Sequence, residues 1–205
     1  YPTKAGFERA SWVWGFVNHL TYKGFTLDFS FDGRVGGKAF NRLEQAMWNS
    51  GTHPDSDNQW RYDEVVNGNK SYIGEGVKVV SGSVKYDSYG NILEDTRQFA
   101  PNDVAVSYEA YTKTYQPWNG TQTSQNIHDL TFLKLRELSI GYQLPQSLTR
   151  KIRLNNVNVS LVGQNLFIWT KDFKYSDPDA IYEGNAETLN APSVRYVGFD
   201  LKFDF

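Results

Sequence analysis

Cysteine is absent from the 205 residues. That excludes disulfides, thiol catalysis and thiolate metal sites, and leaves the compartment open. Long apolar runs are missing too: no stretch approaches the ~18 residues that a transmembrane helix needs. Charge of one sign is not in excess, with 21 Lys and Arg against 23 Asp and Glu and a net charge of -2. Without a basic field, nucleic acid is not an expected partner. The opening Tyr1-Pro-Thr-Lys-Ala-Gly6 lacks both an initiator Met and a signal-peptide pattern, so the chain reads as a piece of something longer. The mean hydropathy of -0.56 suits a soluble protein. It does not exclude a membrane barrel, whose strands alternate and hide half their residues from a hydropathy window. Aromatic residues are abundant at 16%, with 6 Trp, 13 Tyr and 13 Phe. Interfacial girdles and sugar-binding surfaces would each explain that richness.

The final stretch carries the clearest pattern. Val197, Phe199, Leu201, Phe203 and Phe205 share one parity, and Tyr196, Gly198, Asp200, Lys202 and Asp204 the other. Unbroken period-two alternation predicts a strand with one apolar and one polar face. A transmembrane barrel needs strands of this kind, with lipid on one side and a wet lumen on the other.

Four more strands are expected. Residues 11–22 place Trp12, Trp14, Phe16, Leu20 and Tyr22 on one face, interrupted by Asn18. Lys23-Gly24 supplies a two-residue hairpin turn. Residues 25–35 set Phe25, Leu27, Phe29 and Phe31 against Thr26, Asp28, Ser30, Asp32 and Arg34. Residues 130–143 change phase, since Leu133 and Leu135 give way to Leu138, Ile140 and Tyr142. That predicts a bulge near Arg136-Glu137 or a strand extending past the membrane. Residues 156–170 follow after one helical turn at Ser147–Ile152, and residues 194–205 complete the set.

Connections alternate between short and long. Residues 36–127 and 171–192 are the long ones, as expected of extracellular loops opposite short periplasmic turns. Within residues 36–127, the spacing of Phe40, Leu43, Ala46 and Met47 predicts a helix stopped by Gly51. Val104, Tyr108, Tyr111 and Tyr115 predict a second, with Asn102 as its cap. Val77–Val80 and Ser83–Tyr86 are short strand candidates, with a turn over Asp87–Asn91.

No catalytic constellation emerges, and the chain is read as a non-enzyme. His19, His53 and His128 lie on different elements without i, i+4 partners, which argues against a metal site. Asp55-Ser-Asp-Asn58 lacks the Gly and terminal Glu of a calcium loop. Gly74-Glu-Gly76 is a turn rather than a dinucleotide fingerprint. Asp28, Asp32, Arg34, Asp200 and Lys202 all fall opposite the apolar parity, where polar lumen lining explains them better than general-acid chemistry. Trp48, Trp60, Tyr62, Tyr111 and Trp118 sit in the long insertion, where no lipid accounts for them. Packing within the loop is the first reading, ahead of contact with a covering protein or stacking on a ligand.

Several motifs carry a family resemblance. Thr21-Tyr-Lys-Gly-Phe25 with Asp32-Gly-Arg-Val-Gly-Gly37 resembles a hairpin of the SusC/RagA-type TonB-dependent outer-membrane transporters of the Bacteroidetes. Phe132-Leu-Lys-Leu-Arg-Glu-Leu-Ser-Ile-Gly-Tyr-Gln-Leu-Pro145 is similar to that family's late strand. Val162-Gly-Gln-Asn-Leu-Phe-Ile-Trp-Thr170 resembles its next strand, and Gly198-Phe-Asp-Leu-Lys-Phe203 its last. Trp60-Arg-Tyr-Asp-Glu-Val-Val66 also looks family-like.

The resemblance implies an all-β fold: antiparallel strands forming the C-terminal part of a transmembrane β-barrel of about 22 strands, with short helices in a long extracellular loop. It implies import of a glycan or peptide substrate without a cofactor, a SusD-like surface lipoprotein as partner, and energy delivered by TonB through a plug outside this chain. The C-terminus would be periplasmic, with Phe205 as the aromatic that the barrel-assembly machinery reads. The runner-up from another class is a soluble β-sandwich module binding carbohydrate through its loop aromatics.

Overall fold

The computed structural model describes residues 4–115, 124–181 and 193–204. In chain order the elements are β1 (Ala10–Tyr22), β2 (Phe25–Gly36), β3 (Lys38–Phe40), α1 (Arg42–Ser50), α2 (Gln59–Asn67), β4 (Val77–Ser81), β5 (Val84–Tyr86), β6 (Ile92–Asp95) and β7 (Gln98–Pro101). There follow α3 (Tyr108–Tyr115), β8 (Ile127–Asp129), β9 (Phe132–Gln143), α4 (Gln146–Thr149), β10 (Asn156–Thr170) and β11 (Tyr196–Asp204). The chain divides into two compact units, with boundaries at Glu44/Gln45 and Gln122/Thr123. No described helix is long and apolar enough to cross a membrane, which says nothing of strands.

The first unit is built on one antiparallel sheet of order β1-β2-β9-β10-β11. Lys23 and Gly24 take left-handed conformations (φ 48° and 85°), and Tyr22 pairs directly with Phe25. This is a two-residue turn whose twist matches that of the strands. Residues opposite one another in an antiparallel pair share a face, so the registers define rows across the sheet. Leu20, Leu27, Ile140, Leu161 and Phe199 form one row; Tyr22, Phe25, Tyr142, Val159 and Leu201 form the next. Phe16, Phe31, Leu135 and Phe167 align toward the other end, followed by Trp14, Gly33, Leu133 and Trp169.

The apolar face is therefore continuous over all five strands, with aromatic rings concentrated at both ends. The Phe25 and Tyr142 rings lie 4.5 Å apart at one end. The Trp14 indole lies over Gly33 at the other, where a Cβ would meet the ring at 2.7 Å. From the Phe25 row to the Val35 row the strand advances ten residues, or about 33 Å at roughly 3.3 Å per residue. At a barrel tilt of about 40° that stands about 25 Å tall, the height of an outer-membrane apolar band. This face carries strongly exposed residues such as Phe199, at 81%.

The phase change in β9 is a bulge. Ser30 faces Glu137 and Phe31 faces Leu135, leaving Arg136 unopposed. A matching irregularity in β10 lies between Gln164 and Phe167, with Asn165 at φ 52°. One inserted residue moves every later side chain to the other face, so Leu133 and Leu135 join Leu138, Ile140 and Tyr142 on the apolar side. On the polar face, Gly141 lies between Thr26 and Ser160, and a Cβ there would collide with both side chains.

The first unit also holds the β3–β8 ladder, Glu44 at the start of α1, and a small core of Ala39, Leu130, Phe173 and Ile181. The helix expected from Phe40 begins later. Phe40 closes β3, and Asn41 caps α1 by accepting from the Glu44 N–H at 3.0 Å. Gly51, at φ 73°, follows its last residue.

In the second unit, α2 was not foreseen. Its signals are Asn58, whose side chain accepts from the Arg61 N–H, and left-handed Gly68 at the other end. β4 pairs with β7 and β5 with β6, making one interrupted hairpin around the Asp87–Asn91 turn. Asn102 does not cap α3. Ser107 does, accepting from the Ala110 N–H at 3.1 Å.

The β-sandwich alternative requires a second sheet facing the first. Among the described residues every other ladder is two-stranded, so the all-β barrel-wall reading holds and the sandwich does not.

The face assignment is testable in the full-length protein carrying this segment. Phe29→Arg places a cation on the apolar face and is expected to cost about 2–4 kcal/mol of insertion, seen as loss of heat-modifiable migration on detergent gels. Ser30→Arg, on the polar face, should migrate as the parent does.

Candidate functional site

All five residues expected to line the lumen lie on the sheet's polar face by register. Asp28 pairs in the ladder with Ser139, Asp32 with Lys134, Arg34 with Phe132, Asp200 with Ser160 and Lys202 with Asn158. Their surroundings differ. Asp28 contacts His19 across the hairpin. Asp200 and Lys202 lie 3.4 Å apart on an exposed strand. Asp32 and Arg34 are instead engaged by another part of the chain.

That part is Lys171–Ile181. Its opening is fixed by the Lys171 N–H to the Thr131 carbonyl at 3.0 Å and by Lys171 Nζ to Asp129 at 2.7 Å. Phe173, fully buried, fills the core with Ala39 and Leu130. Asn41 Nδ2 donates to the Lys174 carbonyl at 2.8 Å. Asp177 caps the short turn Pro178–Ala180 by accepting from the Asp179 N–H at 3.0 Å.

The turn then meets the polar face. Arg34 Nη2 donates to the Pro178 carbonyl at 2.5 Å. Buried Lys134 Nζ reaches Asp177 at 2.6 Å and Asp179 at 3.3 Å. Arg136, the bulge residue, donates to both carboxylate oxygens of Asp32 at 2.7 Å and to Asp179 at 2.5 Å. Burial alone would raise the Asp177 carboxyl, but Lys134 and the Asp179 N–H bring it below the ordinary value.

Residues 171–181 thus form a strap folded onto the polar face rather than a free surface loop. The sequence reading missed Lys134, Arg136, Asp177 and Asp179 as a set. The available signals were the cations flanking the phase change and the Asp-Pro-Asp turn.

Beside the strap, His128 of β8 lies 2.6 Å from Glu44 and 3.4 Å from Asp172. Glu44 foremost, helped by Asp172, raises its pKa above the ordinary 6.5 although burial works the other way. Among the described residues no group of three or more His, Cys, Asp or Glu side chains is placed to hold a metal ion.

The loop aromatics are placed as follows. Trp48 stacks on His53 with centroids 4.1 Å apart and planes at 12°. Trp60 and Tyr111 join a cluster around Tyr72, at 5.2 Å and 4.4 Å, with Tyr108 at 5.2 Å. Burial, then the Tyr111 hydrogen bond, pushes the Tyr72 hydroxyl up to about 12. Tyr62 is exposed. Trp118 and Phe205 lie outside the described residues.

A cleft of about 400 Å³ opens in the same unit, lined by Trp48, Arg61, Glu64, Tyr108, Glu109 and Lys113 among others. Glu64 accepts from the Ser107 hydroxyl and from the N–H groups of Tyr108 at 2.6 Å and Glu109 at 3.2 Å. The Ser107 bond foremost, helped by these backbone donors, holds its carboxyl below the ordinary range although burial works the other way.

A wall of alternating strands with a strapped polar face is the architecture of a β-barrel wall segment. No family model matches the chain. A TonB-dependent receptor P3 from Formosa agariphila is 26% identical over 188 residues, covering 91% of this chain and 14% of that protein. The solved RagAB peptide importer in its closed-closed state superposes with a TM-score of 0.55 at 20% identity, covering 94% of this chain and 17% of that one. Both are named for reception or import rather than catalysis. These likenesses support the resemblance of the chain's motifs to SusC/RagA-type TonB-dependent receptors, and the fold matches a segment of such a barrel. The chain spans a small part of the proteins it matches.

Two outcomes test the site. Lys134→Met leaves Asp177 buried without its cation and should destabilise the folded barrel by about 3–5 kcal/mol, read as a lower temperature at which heat-modifiable migration is lost. Because the folded pKa of His128 is raised, its stabilisation is fully present below pH 6.5 and is lost as pH rises through the folded value. His128→Gln should remove that component from the melting temperature measured against pH.

Proposed function

We propose that the chain is the C-terminal part of an outer-membrane nutrient importer. It would be the SusC-like half of a complex with a SusD-like lipoprotein and would be energised by TonB through a segment outside this chain. The observation that carries the reading is the apolar face shared by all five strands of the sheet, interrupted at Asn18, banded by aromatic rows and backed by a polar face.

Residues 36–127 and 171–192 are then extracellular, the turns at Lys23-Gly24 and Pro145–Asn155 periplasmic, and Asp28, Asp32, Arg34, Asp200 and Lys202 face the lumen. Phe205 serves as the assembly signal at the periplasmic end. Among the loop aromatics, Trp60 and Tyr111 pack with Tyr72, which leaves Trp48 and Tyr62 better placed for a ligand or the lipoprotein. The cargo is a glycan, oligosaccharide or peptide.

The test is uptake. A strain lacking the gene should lose energy-dependent accumulation of labelled oligosaccharide or peptide, and a proton uncoupler should abolish it in the parent. Affinity purification of the full-length protein should bring down a surface lipoprotein. Uptake unchanged by both deletion and uncoupler would overturn the proposal.

A further inference from the structure

A half-buried cation on α2 has no ion-pair partner among the described residues. Arg61, half-buried on α2, donates through Nη1 to the Gly51 carbonyl at 2.6 Å and to Ser56 Oγ at 2.9 Å. Among the described residues no carboxylate lies within ion-pair distance of it, and no protein atom accepts from its Nη2 or Nε. A partly desolvated guanidinium without a counter-charge is unfavourable, and an anion seated beside it would offset that cost.

The resident carboxylates do not fill this role. Glu64 is committed to the start of α3 through Ser107, Tyr108 and Glu109. Glu109 holds Lys113 at 2.5 Å, one helical turn away. Both line the same cleft as Arg61. Its volume, about 400 Å³, falls in the range of about 300–1,000 Å³ typical of small-ligand sites.

The walls are fixed before any ligand arrives. The Trp48 ring is held by its stack on His53, Arg61 by the Gly51 carbonyl and Ser56, and Glu64 by three donors. A site whose groups are already oriented loses little entropy on binding.

We propose that this cleft recognises the carboxylate of a small acidic ligand, with Arg61 as the anion contact and Trp48 as the apolar wall. The planar guanidinium fork matches the two oxygens of a carboxylate. The two resident carboxylates disfavour a doubly charged phosphate monoester. The C-terminal carboxylate of a short peptide and the uronate of an acidic oligosaccharide share this chemistry. The proposal goes beyond the import reading and does not depend on it, since the cleft can bind whether or not the wall conducts.

Calorimetry on the full-length protein in detergent provides the test. The probes are acetyl-dialanine against its C-terminal amide, and digalacturonate against a neutral disaccharide. At least one acid is expected to bind roughly tenfold or more tightly than its neutral counterpart, and the pair that shows the preference identifies the source. Arg61→Gln should abolish the preference. Arg61→Lys, which keeps the charge, should retain part of it. Trp48→Ala should weaken acid and neutral probes together. Equal binding of acid and neutral forms, binding of neither, or a preference that survives Arg61→Gln in a protein with unchanged melting temperature would overturn the proposal. Uptake unchanged by deletion and uncoupler, with binding intact, would count against import alone.

Discussion

The register of the five-stranded sheet is the constraint on which the rest depends. Period-two geometry gives each side chain one of two faces, and a slip of one residue exchanges them all. β2 keeps one parity throughout, whereas β9 cannot, because its apolar residues change phase midway. The bulge at Arg136 reconciles the two strands. The same residue turns its guanidinium onto the polar face, where it bonds Asp32 and Asp179. Register correction and strap attachment are thus one feature.

The strap is the chief departure of the chain from a simple wall. Residues 171–181 bring Asp177 and Asp179 onto buried Lys134, and Pro178 under Arg34. Burying these charges is costly unless every one is paired. Here three cations meet three carboxylates and a carbonyl. Phe173 anchors the same segment through apolar burial, so the ion pairs specify where the strap lies while the small core supplies much of the reason it stays.

The second unit is organised differently. Its helices are short and its hairpin is two-stranded, so neither element is stable by length alone. What orders it is a set of aromatic contacts around Tyr72 and the capping of α3 by Glu64 from α2. Arg61 stands out in this setting as a half-buried cation without an ion-pair partner among the described residues, which makes the adjacent cleft a place for recognition.

Local pattern made the wall legible. The alternating parities of Phe25–Phe31 and Val197–Phe203 and the Lys23-Gly24 turn marked strands and faces, because strand geometry maps sequence spacing directly onto space; the phase break near Arg136 left a bulge or an overlong strand as its two readings, and the register decided for the bulge. Helix boundaries were less legible. Phe40 belongs to β3, and α3 is capped by Ser107 rather than Asn102, since a cap depends on which nearby oxygen reaches the free N–H groups. The strap could not be read at all. Lys134 and Asp177 lie 43 residues apart, and only the chain path after β10 brings them together. The sequence by itself determined which residues share the apolar face and which the polar one; the tertiary structure decided which of those polar residues hold the fold and which remain open, because ion pairing depends on distances that no spacing encodes.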